Sequence, residues 1–146
     1  MNSEHQLETE IWFSAPSAED PYYQEFFDDI IDFYNRFVEN HHPKDLPLII
    51  AEEETLPIVE QIIPPEYAIA GFIPDIWIRD FAPIVTPKGL FKFRYEPNYL
   101  PQKHAGQVDK SIRIFCQKLD LQAENMPLIL DGGNFVFNGK DKAVIT

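Results

Sequence analysis

Apolar residues recur along this chain at two spacings, and the alternation between them lays out its elements. The clearest helical stretch runs through Tyr23, Phe26, Phe27, Ile30, Phe33, Tyr34, Phe37 and Val38, at intervals of three and four. Glu25, Asp28, Asp29, Asp32, Arg36 and Glu39 take the opposite side. Asp20 can cap this helix with Pro21 in its first turn, and His41-His42-Pro43 ends it. A short apolar strand precedes it at residues 11–13, and residues 46–51 (LPLIIA) read as a buried strand. Residues 52–63 suggest a short acidic helix, although Pro57 lies uncomfortably far inside it. Further on, TPKG joins residues 84–85 to residues 90–95, where Phe91, Phe93 and Tyr95 alternate with Lys92 and Arg94, predicting a hairpin that buries its aromatic face. Val108, Ile112, Phe115 and Leu119 predict a second amphipathic helix, residues 128–130 begin another strand, and FVFNGKDKAVI reads as a hairpin turning at Asn138-Gly139.

This alternation of strands and helices has no Gly/Ser-rich seam or low-complexity tract to divide it, so one continuous domain is expected. At 146 residues and 45% hydrophobic content the chain can support a real core. It stops directly after an apolar strand that nothing follows to cover, so truncation at the C-terminus is expected.

Charge narrows the partners. Twelve Lys and Arg against 24 Asp and Glu give a net charge of −12, which argues against nucleic acid and anionic membranes and favours cationic ligands. The opening MNSEHQLETE has neither the basic nor the apolar region of a signal peptide, and no apolar run approaches membrane-spanning length. The single cysteine, Cys116, excludes an internal disulfide framework and fits a reducing compartment, so a cytoplasmic location is expected.

Most familiar chemistries lack their residues here. His5, His41, His42 and His104 have no zinc-ligand spacing, and no glycine pattern for a nucleotide loop is present, so neither a metal nor a cofactor is expected. DGGNFVFNGKD begins like a calcium loop, but Gly133 stands where an oxygen ligand is needed and no Glu closes the loop. Cys116 flanks the apolar stripe of its helix and reads as structural, while His104 reads as a surface-loop residue.

Two stretches remain. In DIWIRDFAPI, charged Asp75, Arg79 and Asp80 crowd among apolar residues, where an unpaired charge is costly. Read as an extended strand, the stretch puts Trp77 and Arg79 on one face and Asp80 on the other. Taken alone it fits a structural bridge from Arg79 to Asp75 or another acid as well as it fits a binding site. In LDGGN, the pair Gly132-Gly133 suggests a bulge or tight turn with Asn134 left-handed. Together the two stretches place Asp80 and Asp131 at the ends of apolar segments in an acidic chain. Paired carboxylates suit a planar guanidinium, whose flat face can lie on an aromatic ring such as Trp77.

WIRDFAPI resembles the W-x-R-D-x-G/A-P motif of the agmatine deiminase and Porphyromonas-type peptidylarginine deiminase family. LDGGNFVFNGKDKAVIT resembles that family's E/D-G-G-N-x-x-x-x-G-x-x-x-x-x-T motif, and ETEIWFSAPSAED is similar to its opening segment. The resemblance implies the α/β pentein fold, a propeller of ββαβ modules around a central channel, with about the first two of five modules present. Residues 1–146 would then be the N-terminal part of a single catalytic domain. It implies that Asp80 binds the substrate guanidinium and that Asp131, in place of the commoner glutamate, orients the catalytic histidine and contacts substrate. Trp77 would be a wall of the site, with Asp75, Arg79, Gly132, Gly133 and Asn134 as structural neighbours.

The implied reaction is cofactor-free hydrolysis of a guanidine C–N bond through a covalent cysteine intermediate. Its nucleophilic cysteine and general-acid histidine would lie beyond Thr146, and Cys116 does not match the nucleophile's position. The partner is then a small cationic guanidino compound, agmatine converted to N-carbamoylputrescine and ammonia, or an arginyl peptide. A non-catalytic pentein binding module is the competing reading. The uncovered apolar edge is compatible with a homo-oligomer.

Overall fold

The computed structural model describes residues 9–138 and 141–145. They fall into two compact units, Met1–Ile76 and Trp77–Thr146. The turn expected at Asn138-Gly139 lies partly outside the described residues, and His5 and most of the polar opening segment lie outside them.

The first unit is built on a parallel sheet of strands β1 (Thr9–Ser14), β2 (Asp45–Ala51) and β3 (Ala68–Ala70), with β2 in the middle. Helix α1 (Phe27–Asn40) carries the chain from β1 to β2 and buries Phe27, Ile31, Tyr34 and Val38; three of these belong to the apolar periodicity, while fully buried Ile31 takes the core position where that spacing puts Ile30. Phe26 and Phe33 from the same periodicity remain more than half exposed. Phe13 of β1 packs against the rings of Tyr34 and Phe37, each at 4.9 Å. The Tyr34 hydroxyl donates to the Ser14 carbonyl (3.0 Å), and burial pushes its pKa up to about 12. The helix starts later than its cap signal suggests. Asp20 Oδ1 accepts the Tyr22 N–H (2.8 Å), and a single 3₁₀ turn, Gln24–Phe26, leads into α1.

The acidic helix expected over residues 52–63 contracts to the one-turn α2 (Leu56–Val59). Pro57 therefore falls in a first turn, where its missing N–H costs no helical bond. Buried Thr55 fixes the approach by accepting the Ala18 N–H (3.1 Å) and donating to Glu52 (3.1 Å).

In the second unit, Ile78–Phe81 forms a one-turn helix, α3, and not the extended strand expected. Strands β4 (Ile84–Thr86) and β5 (Gly89–Arg94) form the expected antiparallel hairpin, with Gly89 at a φ of 127° that only glycine adopts readily. Helix α4 (Gln102–Lys118) then crosses to β6 (Ala123–Ile129), which lies parallel to β5 at a sheet edge. Pro127 is tolerated in β6 because an edge strand need not donate every N–H, and the β5–β6 register shifts between Lys92 and Arg94. Strands β7 (Phe135–Phe137) and β8 (Ala143–Ile145) pair antiparallel.

The hairpin meets one expectation only in part: Tyr95 of the aromatic face is buried, but a lysine is buried as well. Lys92 is the buried residue of β5, at 2% exposure, while Phe91 and Phe93 are half-buried. The ammonium can be buried because it is satisfied: Lys92 Nζ donates to Asp109 Oδ1 of α4 and to the Phe93 carbonyl, both at 2.5 Å. Arg113 Nε holds the other oxygen of Asp109 (2.8 Å) and also reaches Asn125 on β6. Around this network Ala105, Val108, Ile112, Phe115 and Cys116 of α4 are buried.

Candidate functional site

The α3 turn follows from its sequence once period three is allowed. Ile78 and Phe81, three residues apart, are both buried, which turns Arg79 and Asp80 away from the core. The Asp80 N–H donates to the Trp77 carbonyl (2.9 Å) and the Ala82 N–H to the Ile78 carbonyl (2.8 Å). Ala82 is then extended, as a residue before proline prefers, so Pro83 ends the helix after one turn. Trp77, at the N-terminal end of this turn, is 62% exposed.

The DGGN stretch is a 3₁₀ turn over Gly132–Asn134, with Asp131 as its cap. Asp131 Oδ1 accepts the Gly133 N–H (3.0 Å), and the Asp131 carbonyl accepts the Asn134 N–H (3.0 Å). Neither glycine nor Asn134 has a positive φ, so the pair does not serve left-handed geometry. It serves close approach. A Cβ on Gly132 would lie 2.2 Å from the Arg79 carbonyl oxygen. A Cβ on Gly133 would lie 2.3 Å from Asp80 Oδ1 and 3.2 Å from Asp131 Oδ1. The two carboxylates, about 50 positions apart in sequence, therefore meet around a glycine that has no side chain to separate them.

Beside this pair is a cavity of about 480 Å³ walled by residues 95–99 and by Ile129, Leu130, Asp131, Asn134 and Ile145. Its charged lining residues are Glu96 and Asp131, with Glu96 bound to Arg94 outside the wall. The Tyr99 hydroxyl lies 3.5 Å from Asp131 Oδ2 and 3.2 Å from the Tyr95 hydroxyl, and the Tyr95 ring packs on Phe81 of α3. Two converging carboxylates beside a hydroxyl-lined cavity suit a planar, multiply donating cation. Among the described residues no group of three or more His, Cys, Asp and Glu could hold a metal ion.

Of the residues singled out from sequence, Asp80, Asp131, Gly132 and Gly133 come together, and Asn134 lines the adjoining cavity. Trp77 is not part of that lining. Arg79 meets Gly132 through its backbone carbonyl, while its side chain is exposed. Asp75 lies in the first unit, where its Oδ1 accepts a hydrogen bond from Tyr23 (3.1 Å). Burial and the Asp75 charge raise the Tyr23 phenol well above its ordinary range. Cys116 is 4% exposed, and burial pushes its thiol up despite the countering charges of Lys92 and Arg113, the reverse of an activated nucleophile. His104 sits in the first turn of α4, not in a loop, because the helix begins directly after Pro101. Sequence reasoning missed Tyr95 and Tyr99. Their signal was two phenols four residues apart in a proline-bounded segment directly after a strand.

The model of the Porphyromonas-type peptidyl-arginine deiminase family matches residues 1–146. The chain belongs to that family. Its members are deiminases, and the family's fold, the pentein, agrees with solved structures. The agmatine deiminase of Enterococcus faecalis is 16% identical, with a TM-score of 0.67 over 98% of this chain and 42% of its own. The C. jejuni agmatine deiminase is 20% identical, with a TM-score of 0.65 over 96% of this chain and 44% of its own. The deiminase-family chain described here thus spans less than half the length of these structures. No curated protein sequence matches it. No helix among its described residues is long and apolar enough to cross a membrane.

Proposed function

We propose that residues 1–146 form the guanidinium-holding part of a deiminase that converts agmatine to N-carbamoylputrescine and ammonia. The observation that carries this reading is the meeting of Asp80 and Asp131 around Gly133. A guanidinium offers five N–H donors in one plane, and two carboxylates approaching from different elements can hold several of them in fixed orientation. Trp77 is assigned as a wall against the flat face of the cation. Agmatine is favoured over peptidylarginine because the adjoining cavity carries only acidic charge on its lining, which suits a substrate whose far end is an amine.

In this reading the chain binds and orients, and the reacting groups come from outside residues 1–146. A cysteine thiolate forms a bond to the guanidinium carbon, and the C–N bond to the terminal nitrogen breaks. Ammonia leaves with a proton from a histidine that Asp131 orients. Water then displaces the thiolate and releases the ureido product. The ureido product fits a route to putrescine, and the single cysteine favours the cytoplasm as its place.

The test is ammonia release by the intact protein from agmatine and from a peptidylarginine, with Asp80→Asn and Asp131→Asn beside it. Each substitution is expected to lower kcat/KM for agmatine by about 100-fold or more, as for loss of a charged hydrogen-bonded contact at a reacting centre. Residues 1–146 alone are expected to release no ammonia. Retained activity in both variants, or a preference for the peptide, would overturn the reading.

A further inference from the structure

The segment between β5 and α4, YEPNYLP at residues 95–101, is restricted by two prolines and closed by a turn in which the Leu100 N–H donates to the Pro97 carbonyl (3.4 Å). It presents Tyr99 at 68% exposure, so core packing does not account for that side chain. Its hydroxyl nevertheless stands between two partners, the Tyr95 hydroxyl at 3.2 Å and Asp131 Oδ2 at 3.5 Å. Tyr95 is itself fixed, at 3% exposure, with its ring 5.5 Å from Phe81.

We propose that Tyr99 is a positioning residue for Asp131. With Tyr95 donating to Tyr99 and Tyr99 donating to Asp131, the carboxylate is held at both oxygens, Oδ1 by the Gly133 N–H and Oδ2 by the Tyr99 hydroxyl. A carboxylate held at one oxygen can still turn about its last torsion, whereas one held at both presents its remaining lone pairs in a fixed plane. Phe81 follows Asp80 in α3, so the contacts Phe81–Tyr95–Tyr99–Asp131 tie the two acid-bearing turns together by a route separate from the glycines. At 3.5 Å the last bond is longer than a relaxed O–H···O contact. Its share of the hold is therefore smaller than that of the 3.0 Å bond from the Gly133 N–H.

What the carboxylate is held for rests on the guanidinium reading above; that it is held does not. The test therefore has two readouts on the intact protein, wild type against Tyr99→Phe and Tyr95→Phe. The first is ligand-free NMR of the Gly133 amide proton and the Asp131 carboxyl carbon. The second is titration with agmatine. Tyr99→Phe is expected to move both resonances and to raise the agmatine dissociation constant about 3- to 10-fold, the loss of one hydrogen bond to a charged group. Its melting temperature should be unchanged. Tyr95→Phe should act in the same direction and more weakly. Unmoved resonances in Tyr99→Phe, or an affinity loss that merely follows a lowered melting temperature, would overturn the proposal. If the wild type fails to bind agmatine while the resonances still move in Tyr99→Phe, the positioning role stands and the guanidinium reading falls.

Discussion

Gly132 and Gly133 look alike in sequence and do different work. The atom that a Cβ on Gly132 would strike is backbone, the Arg79 carbonyl oxygen, which cannot yield without moving α3. The atom facing Gly133 is the end of the Asp80 side chain, which can rotate away. Gly132→Ala is therefore expected to lower stability by about 1–3 kcal/mol, the usual range for overpacking, measured by denaturant unfolding. Gly133→Ala should unfold nearly as wild type but lose agmatine affinity by about tenfold or more in titration, because the acid pair is pushed apart. Equal stability losses in the two variants would contradict this division. Both acids were legible in the sequence through their motifs. The reason for the glycines was not, because a glycine pair signals a turn, and only the fold reveals which atom needs the missing side chain's space. The extended reading of WIRD failed in a similar way. Apolar residues at 76, 78 and 81 fit period two nearly as well as period three over so few positions, and the burial of Ile78 with Phe81 decided for the helix.

Among the elements, β1, β2, the β4–β5 hairpin, α1 and α4 all follow from hydrophobic spacing, with errors confined to their ends. The exception is β5, whose buried residue is a lysine. Aromatic residues alternating with basic ones predict an aromatic core face, and nothing local reveals that Asp109, on the next helix, will neutralise Lys92. Burial opposes ionisation of Asp109, but hydrogen bonds from Arg113 and Lys92 outweigh it and hold the carboxyl below its ordinary range. Asp109→Ala leaves the ammonium buried without its counter-charge and is expected to cost about 3 kcal/mol at neutral pH. Lys92→Met should cost less, since Asp109 keeps Arg113. The sign with pH follows from the depressed carboxyl. Its contribution is complete above the unfolded aspartate value of about 3.9 and is lost as pH falls through the lower folded value. Asp109→Asn should therefore flatten the acid limb of the stability curve below about pH 4, measured by thermal unfolding across pH. An unchanged acid limb would show that the pair does not govern it.

At the scale of the whole molecule, the division into Met1–Ile76 and Trp77–Thr146 was not legible, because no change of composition marks it and the cut falls inside DIWIRDFAPI itself. The exposed apolar edge was legible. Leu128 and Ile129 of β6, Val136 of β7, and Val144 and Ile145 of β8 are each more than half exposed, and Val136 faces Val144 across the hairpin. Residues 1–146 produced alone are expected to self-associate at micromolar concentration, as exposed apolar strands do, and Val136→Lys with Val144→Lys should restore a monomer in sedimentation velocity. A monomeric wild-type fragment with a single cooperative unfolding transition would contradict this.

The seat of Gly132 on the Arg79 carbonyl also sets an order of events. The two residues are about 50 positions apart, so their contact closes a long loop whose entropy must be lost before the contact repays it. The β4–β5 hairpin and α4 consist of local contacts and can form early. The acid pair can exist only after α4 has brought β6, and the DGGN turn behind it, back alongside β5. Binding competence should therefore arrive last during refolding and disappear first on partial opening, making ligand capture a stricter reporter of the finished second unit than its helix content.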